Sequence, residues 1–232
     1  MGRWGDYLKD LLTTTPRYDD ATFYLRQWTL EVIQEAKKRG KTVLHLDEKD
    51  VTKAKFEAMV NSNKPKFILL NGHGSESEII GQSFRNSDGG FTNTEKILGV
   101  GENEDITKDA IVYARACNTS SKLGKACVEK GAIAYIGYKG NFTFYVDANK
   151  ETKPAEDKTA NYFKEITNII PLTILKGNTV LDAVERSKQM TIKIIDHLET
   201  SEYYDPVAQA ILPFLYLDLM LLQVSGKENA KI

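Results

Sequence analysis

Two cysteines in 232 residues, Cys117 and Cys127, are too few for the disulfide framework of a small secreted protein and too few for a four-ligand structural zinc site. Neither sign of charge is in excess. With 31 Lys and Arg against 32 Asp and Glu, the formal net charge is −1, so no basic surplus exists to collect nucleic-acid phosphates or anionic lipid. No apolar run is long enough to read as a membrane span, because Gln209, Pro213, Asp218 and Gln223 interrupt the most apolar stretch, 207–224. The opening MGRWGDYLKD lacks the apolar core of a secretion signal, and Asp6 stands where myristoylation after Gly2 needs Ser or Thr. Internal repeats and low-complexity tracts are absent as well. These absences point to a protein of a reducing compartment, expected in the cytoplasm, with no nucleic-acid or membrane partner and no cofactor.

What is present reads as one packed domain over 1–232, since 41% hydrophobic and 27% charged residues are ordinary for a globular core. Leu11 to Thr15 is a short β-favouring run closed by Pro16. A helix follows, capped by Asp19 or Asp20, with Leu25, Trp28, Val32 and Ala36 at helical spacing before Gly40. Thr42 to Leu46 is a second strand, and Asp50 caps a helix bearing Phe56, Met59 and Val60 that ends at Lys64-Pro65. Phe67 to Leu70 is apolar without alternation, as in a strand covered on both faces, and it leads into Asn71-Gly72-His73-Gly74. Ile111 to Ala114 is another such strand, ending at Arg115-Ala116-Cys117-Asn118-Thr119-Ser120. Then come a helix capped near Ser120 or Ser121 and stopped by Gly131, and a strand over Ala132 to Ile136. Helices around 160–166 and from a capping box at Thr179 precede an apolar helix-to-strand segment that closes at Gly226. Strands alternating with helices predict an α/β fold with a mostly parallel central sheet and helices on both faces, a three-layer sandwich.

Sites in such sheets form beyond the carboxyl ends of the strands, and His73 and Cys117 each follow a buried strand. A thiol must ionise to attack a carbonyl, and a helix start with a neighbouring imidazolium can lower its pKa; both aids are expected for Cys117. Gly72 and Gly74 bracket His73 in a turn whose backbone N–H groups are unscreened by side chains and could face a developing oxyanion. Cys127 falls on an apolar helix face, while His45 and His197 have no second ligand near them in sequence. These three residues read as structural.

A buried strand into NGHG, a second into ARACNTS about forty residues later, then GAIAYIGY, resembles the caspase-like cysteine peptidase superfamily. That superfamily includes caspases, legumains, gingipains, clostripain, separases and bacterial CHAT domains. The likeness runs from about Leu11 to Gly226, closing on FLYLDLMLLQVSG. It implies a caspase-like fold and a His-Cys dyad acting on peptide or protein substrates. His73 would be the acid-base residue and Cys117 the nucleophile, with the amides of Gly74 and Cys117 as oxyanion donors and no third residue needed to orient the histidine. By the same resemblance, Arg115 and Lys139 would line the first specificity pocket and favour an acidic residue before the scissile bond, if both side chains point inward.

Two other segments carry less. Residues 75–109, rich in Ser, Asn, Asp and Gly, read as loops beside the site, including Asn86 to Gly90 and Gly101 to Asp105. Asp147 to Glu151 alternates oxygen-bearing side chains, but Thr152 and Lys158 occupy the Gly and Glu positions of an EF-hand, which leaves a solvated loop. Two competing functions are a non-catalytic interaction module on the same fold and another cysteine hydrolase on a doubly wound sheet. The second normally sets its nucleophile in Gly-x-Cys-x-Gly, where this chain has Arg115 and Thr119.

Overall fold

A computed structural model describes residues 9–85, 90–92 and 94–232. The N-terminal octapeptide and most of the Asn86 to Gly90 loop lie outside the described residues. The chain begins with β1 (Leu11–Thr15), α1 (Asp20–Lys38), β2 (Val43–Asp47), α2 (Lys53–Asn63) and β3 (Phe67–Asn71). Four short strands follow, β4 (Glu78–Ile80), β5 (Phe84–Arg85), β6 (Phe91–Thr92) and β7 (Lys96–Gly99). The chain then returns through β8 (Ile111–Arg115), α3 (Leu123–Glu129) and β9 (Ala134–Tyr138), and ends with α4 (Lys158–Leu175), α5 (Val180–Thr200), α6 (Pro206–Leu221) and β10 (Leu222–Gly226).

The six long strands form one sheet in the order β10-β9-β8-β3-β1-β2. Every pairing is parallel except β10 with β9, because α6 runs into β10 without an intervening loop and returns the chain antiparallel. Side chains alternate across each strand. Leu11, Phe67, Leu69, Ile111, Tyr113 and Ile136 pack with residues of α1, α4, α5 and α6. Leu12, Ile68, Leu70, Val112, Ala114 and Tyr135 pack with Phe56 and Val60 of α2 and with Leu123 and Cys127 of α3. Helices therefore cover both faces, the layering expected of an α/β sandwich.

Local chemistry explains most boundaries. Asp19 and Thr22 form a reciprocal capping box at the start of α1, and Thr179 with Asp182 does the same for α5. Thr52, not Asp50, caps α2: its side chain accepts from the Lys55 amide, while Asp50 lies in a 3-10 turn and pairs with Lys55. Lys64 leaves α2 at φ 46°, and Pro65 forbids continuation. Three further expectations need correction. The helix read around 160–166 runs to Leu175 across Pro171, because Ile166, Ile170 and Ile174 bury against the core and outweigh the lost backbone bond. Segment 75–109 is not simply loop: β4 pairs β7, and Ile79, Ile97 and Leu98 are fully buried in the core of the α2–α3 face. The helix after Cys117 starts at Leu123, not at Ser120 or Ser121, and has no side-chain cap.

Candidate active site

β3 and β8 are adjacent and parallel, with Asn71 opposite Arg115. His73 and Cys117 each lie two residues beyond that paired position, so neighbouring strands deliver them to the same sheet edge. Gly72 makes the first bend. Its φ of 145° belongs to the glycine-favoured half of backbone space, and a Cβ there would sit 2.8 Å from the Ile80 carbonyl oxygen. Gly74 closes the gap to the other loop, since a Cβ on it would lie 2.8 Å from Thr119 Cγ2, 3.0 Å from Ala116 Cβ and 3.1 Å from the Cys117 carbonyl oxygen. The histidine loop and the cysteine turn are thus in direct contact through an absent side chain.

The Gly74 and Cys117 amides donate to no backbone carbonyl among the described residues. The bridge between Gly74 and Ile79 is closed instead by Ser75 N–H to Glu78 O and Ile80 N–H to His73 O. Asn118, at φ 61°, turns the chain and donates its amide to Gly140 O at 2.7 Å.

The His73 ring is held by a residue that the sequence had marked only as a helix cap. Nε2 lies 2.6 Å from Asp19 Oδ2, and the Tyr18 ring sits 5.9 Å away, tilted by 44°. The His73 side chain is half exposed, whereas Asp19 is 16% exposed. The bond to the Asp19 carboxylate outweighs burial and holds the imidazole above the usual histidine range. Burial works to raise the Asp19 carboxyl, but hydrogen bonds from His73 and from the Thr22 amide and hydroxyl win and leave it below the carboxylate range. A cavity of about 410 Å³ opens beside Asp19, lined by Arg17, Tyr18, Asp20, Phe23 and Glu151.

Cys117 differs from expectation. No hydrogen bond joins it to His73; its Sγ donates to the Phe142 carbonyl oxygen at 3.5 Å. Phe142 in turn stacks on Tyr138, with ring centroids 4.5 Å apart. Burial pushes the thiol up rather than down. The helix-dipole aid is missing because α3 begins six residues later. Cys127 is fully buried among α3 core residues and its thiol is pushed up to about 12 by burial.

The proposed specificity residues separate. Arg115 is fully buried, on the β8 face that meets α4: Nη2 donates to Asn168 Oδ1 at 2.7 Å, and the guanidinium lies 5.7 Å from the Tyr113 ring centroid. Its Nε and Nη1 have no partner. As placed, Arg115 lines no open pocket, because odd-numbered β8 residues point into the core. Lys139 is exposed just past β9. Asp218 of α6, which the sequence showed only as an interruption of the apolar stretch, is buried with one hydrogen bond, from the Thr143 amide at 3.2 Å. Burial holds its carboxyl well above the usual range.

Elsewhere, His45 bonds Thr15 at 2.6 Å and His197 lies by Glu202, both in structural settings. Among the described residues, no group of three or more His, Cys, Asp or Glu could hold a metal ion, and no helix is long and apolar enough to cross a membrane. Compared with known proteins by sequence, the chain matches no family model and no curated protein.

Proposed function

We propose that the chain is a caspase-like cysteine endopeptidase, with Cys117 as nucleophile, His73 as acid-base residue and the amides of Gly74 and Cys117 as oxyanion donors. The observation that carries this reading is the pair of loops at one sheet edge: His73 and Cys117 at matching positions beyond adjacent parallel strands, packed together through Gly74 and offering two amides that donate to no backbone carbonyl.

The step is acyl transfer. The Cys117 thiol leaves Phe142 O and gives its proton to the imidazole while Sγ bonds the scissile carbonyl carbon. The oxyanion faces the two amides, a contribution typically worth roughly 10²–10³ in turnover per donor. On collapse the C–N bond breaks and His73 returns the proton to the departing amine. Water then adds to the thioester, giving one proton to His73. The S–C bond breaks, the acid is released, and the proton returns to Sγ.

An acidic residue before the scissile bond now rests on exposed Lys139, since Arg115 is enclosed. Reporter peptides ending in Asp, Glu, Arg or Lys, offered to wild type and to Cys117→Ala, test both points. Cleavage after Asp or Glu that is lost in the variant is expected. Cleavage by the variant removes the peptidase assignment, and preferential cleavage after Arg or Lys removes the acidic preference. One observation favours a second reading, a binding module without turnover: the thiol is held by a carbonyl and raised by burial rather than bonded to His73.

A further inference from the structure

The resemblance described above implies a two-residue dyad. The geometry points to a third participant: we propose that Asp19 is the positioning residue of His73, gripping Nε2 so that Nδ1 is the nitrogen that exchanges protons with Cys117 and the substrate. This inference rests on the peptidase reading for its catalytic meaning, but its structural basis is separate.

Asp19 is built to hold still. One carboxylate oxygen, Oδ1, accepts from the Thr22 amide at 2.8 Å and from the Thr22 hydroxyl at 2.7 Å, fixing it at the start of a 19-residue helix whose dipole favours negative charge. The other, Oδ2, meets His73 Nε2 at 2.6 Å. The preceding residue pair is clamped as well: the Arg17 amide donates to Gln82 Oε1 at 2.7 Å, and Gln82 Nε2 donates to Arg17 O at 2.8 Å. Against this rigid carboxylate the imidazole has no other ring hydrogen bond among the described residues; the Tyr18 ring lies beside it, 5.9 Å away between centroids.

The tautomer follows from the partner. An ionised carboxylate only accepts, so a neutral imidazole bonded to it carries its proton on Nε2 and leaves the Nδ1 lone pair free. Nδ1 can therefore take the Cys117 proton, and the resulting imidazolium is stabilised by Asp19. The charged and titratable groups around the ring come from three places. The loop before α1 contributes Asp19 and Tyr18, and Arg17 beside them is paired with Glu48. The cysteine turn contributes Cys117. The ring's own loop contributes Glu76, which is paired with Lys122. Among the described residues, Asp19 is the one that forms an ion pair with the ring.

The test is Asp19→Asn in the full chain. Asparagine caps helices as well as aspartate, so α1 and the melting temperature are expected to persist. Its amide N–H₂ can turn toward Nε2 and reverse the tautomer, and it carries no charge to raise the imidazole. The expected result is a kcat lower by roughly 10²-fold or more with little change in KM, in the range typical for general acid-base groups. The His73 titration followed by NMR is expected to move to lower pH, and the acid limb of the pH–rate profile to move with it. Asp19→Glu, which keeps the charge, is expected to recover part of the rate. Wild-type kcat, or an unmoved His73 titration in Asp19→Asn, overturns the role of Asp19. If wild type cleaves no peptide while the His73 titration still drops in the variant, the peptidase reading fails and the positioning of His73 by Asp19 stands.

Discussion

Cys117 and Cys127 share one chemistry and differ in surroundings, and that difference can be measured. Cys117 is half-buried at a loop edge, with a thiol raised by burial and a weak carbonyl partner. Cys127 is enclosed, and its thiol is pushed up to about 12. Timed alkylation with iodoacetamide, read by peptide mass spectrometry, is expected to label Cys117 well before Cys127, and His73→Ala is expected to slow Cys117 selectively. Equal, slow labelling of both residues favours the binding module, because an imidazole that never reaches the thiol cannot speed its ionisation. Of the residues at the site, His73 and Cys117 were legible from the small-residue turns that follow buried strands. Asp19 was legible only as a cap, because one carboxylate uses its two oxygens for two purposes and sequence spacing speaks to just the local one. Asp218, a hundred residues from Cys117 along the chain, was legible only as a break in an apolar stretch, and Asn168, fifty residues away, left no local sign.

At the scale of elements, the site depends on two loops touching, and Gly74 is where they touch. Gly74→Ala would place a methyl against Thr119 Cγ2, Ala116 Cβ and Cys117 O at 2.8–3.1 Å. Overpacking of this kind costs about 1–3 kcal/mol, and here the strain falls on the contact between the histidine loop and the cysteine turn. Thermal unfolding is expected to show a lower melting temperature, and the peptide assay a lower rate. Adding Thr119→Ser, which removes the opposing methyl, is expected to recover part of the stability. An alanine variant as stable and as active as wild type would show that the loops do not need this approach.

At the scale of the whole molecule, the sheet separates two cores, and ionisable groups enclosed on the α4–α6 side tie stability to pH. Asp218 has one hydrogen bond and lies in no ion pair among the described residues, although Arg115 is buried on the same side. Its folded pKa is raised above the unfolded value of roughly 3.9, so the folded chain holds the proton more tightly. Stability from this group is complete below the unfolded value and is lost as pH rises through the folded one. Asp218→Asn is neutral at every pH and keeps an oxygen to accept from Thr143. Its melting temperature is expected to match wild type near pH 4 and to exceed it by a growing margin as pH rises. A margin independent of pH would mean that Asp218 finds a charge partner in solution.

Local patterns and backbone chemistry were enough to determine the alternation of strands and helices, the parallel character of most of the sheet, and the two turns carrying His73 and Cys117. Apolar runs, caps and glycines act within a few residues, so the sequence states them directly. Tertiary structure alone decided which strands are neighbours, that Asp19 reaches His73, that Arg115 faces inward, and that α4 continues through Pro171. Each of those depends on a contact between distant segments, whose free energy enters only when the whole sheet has assembled.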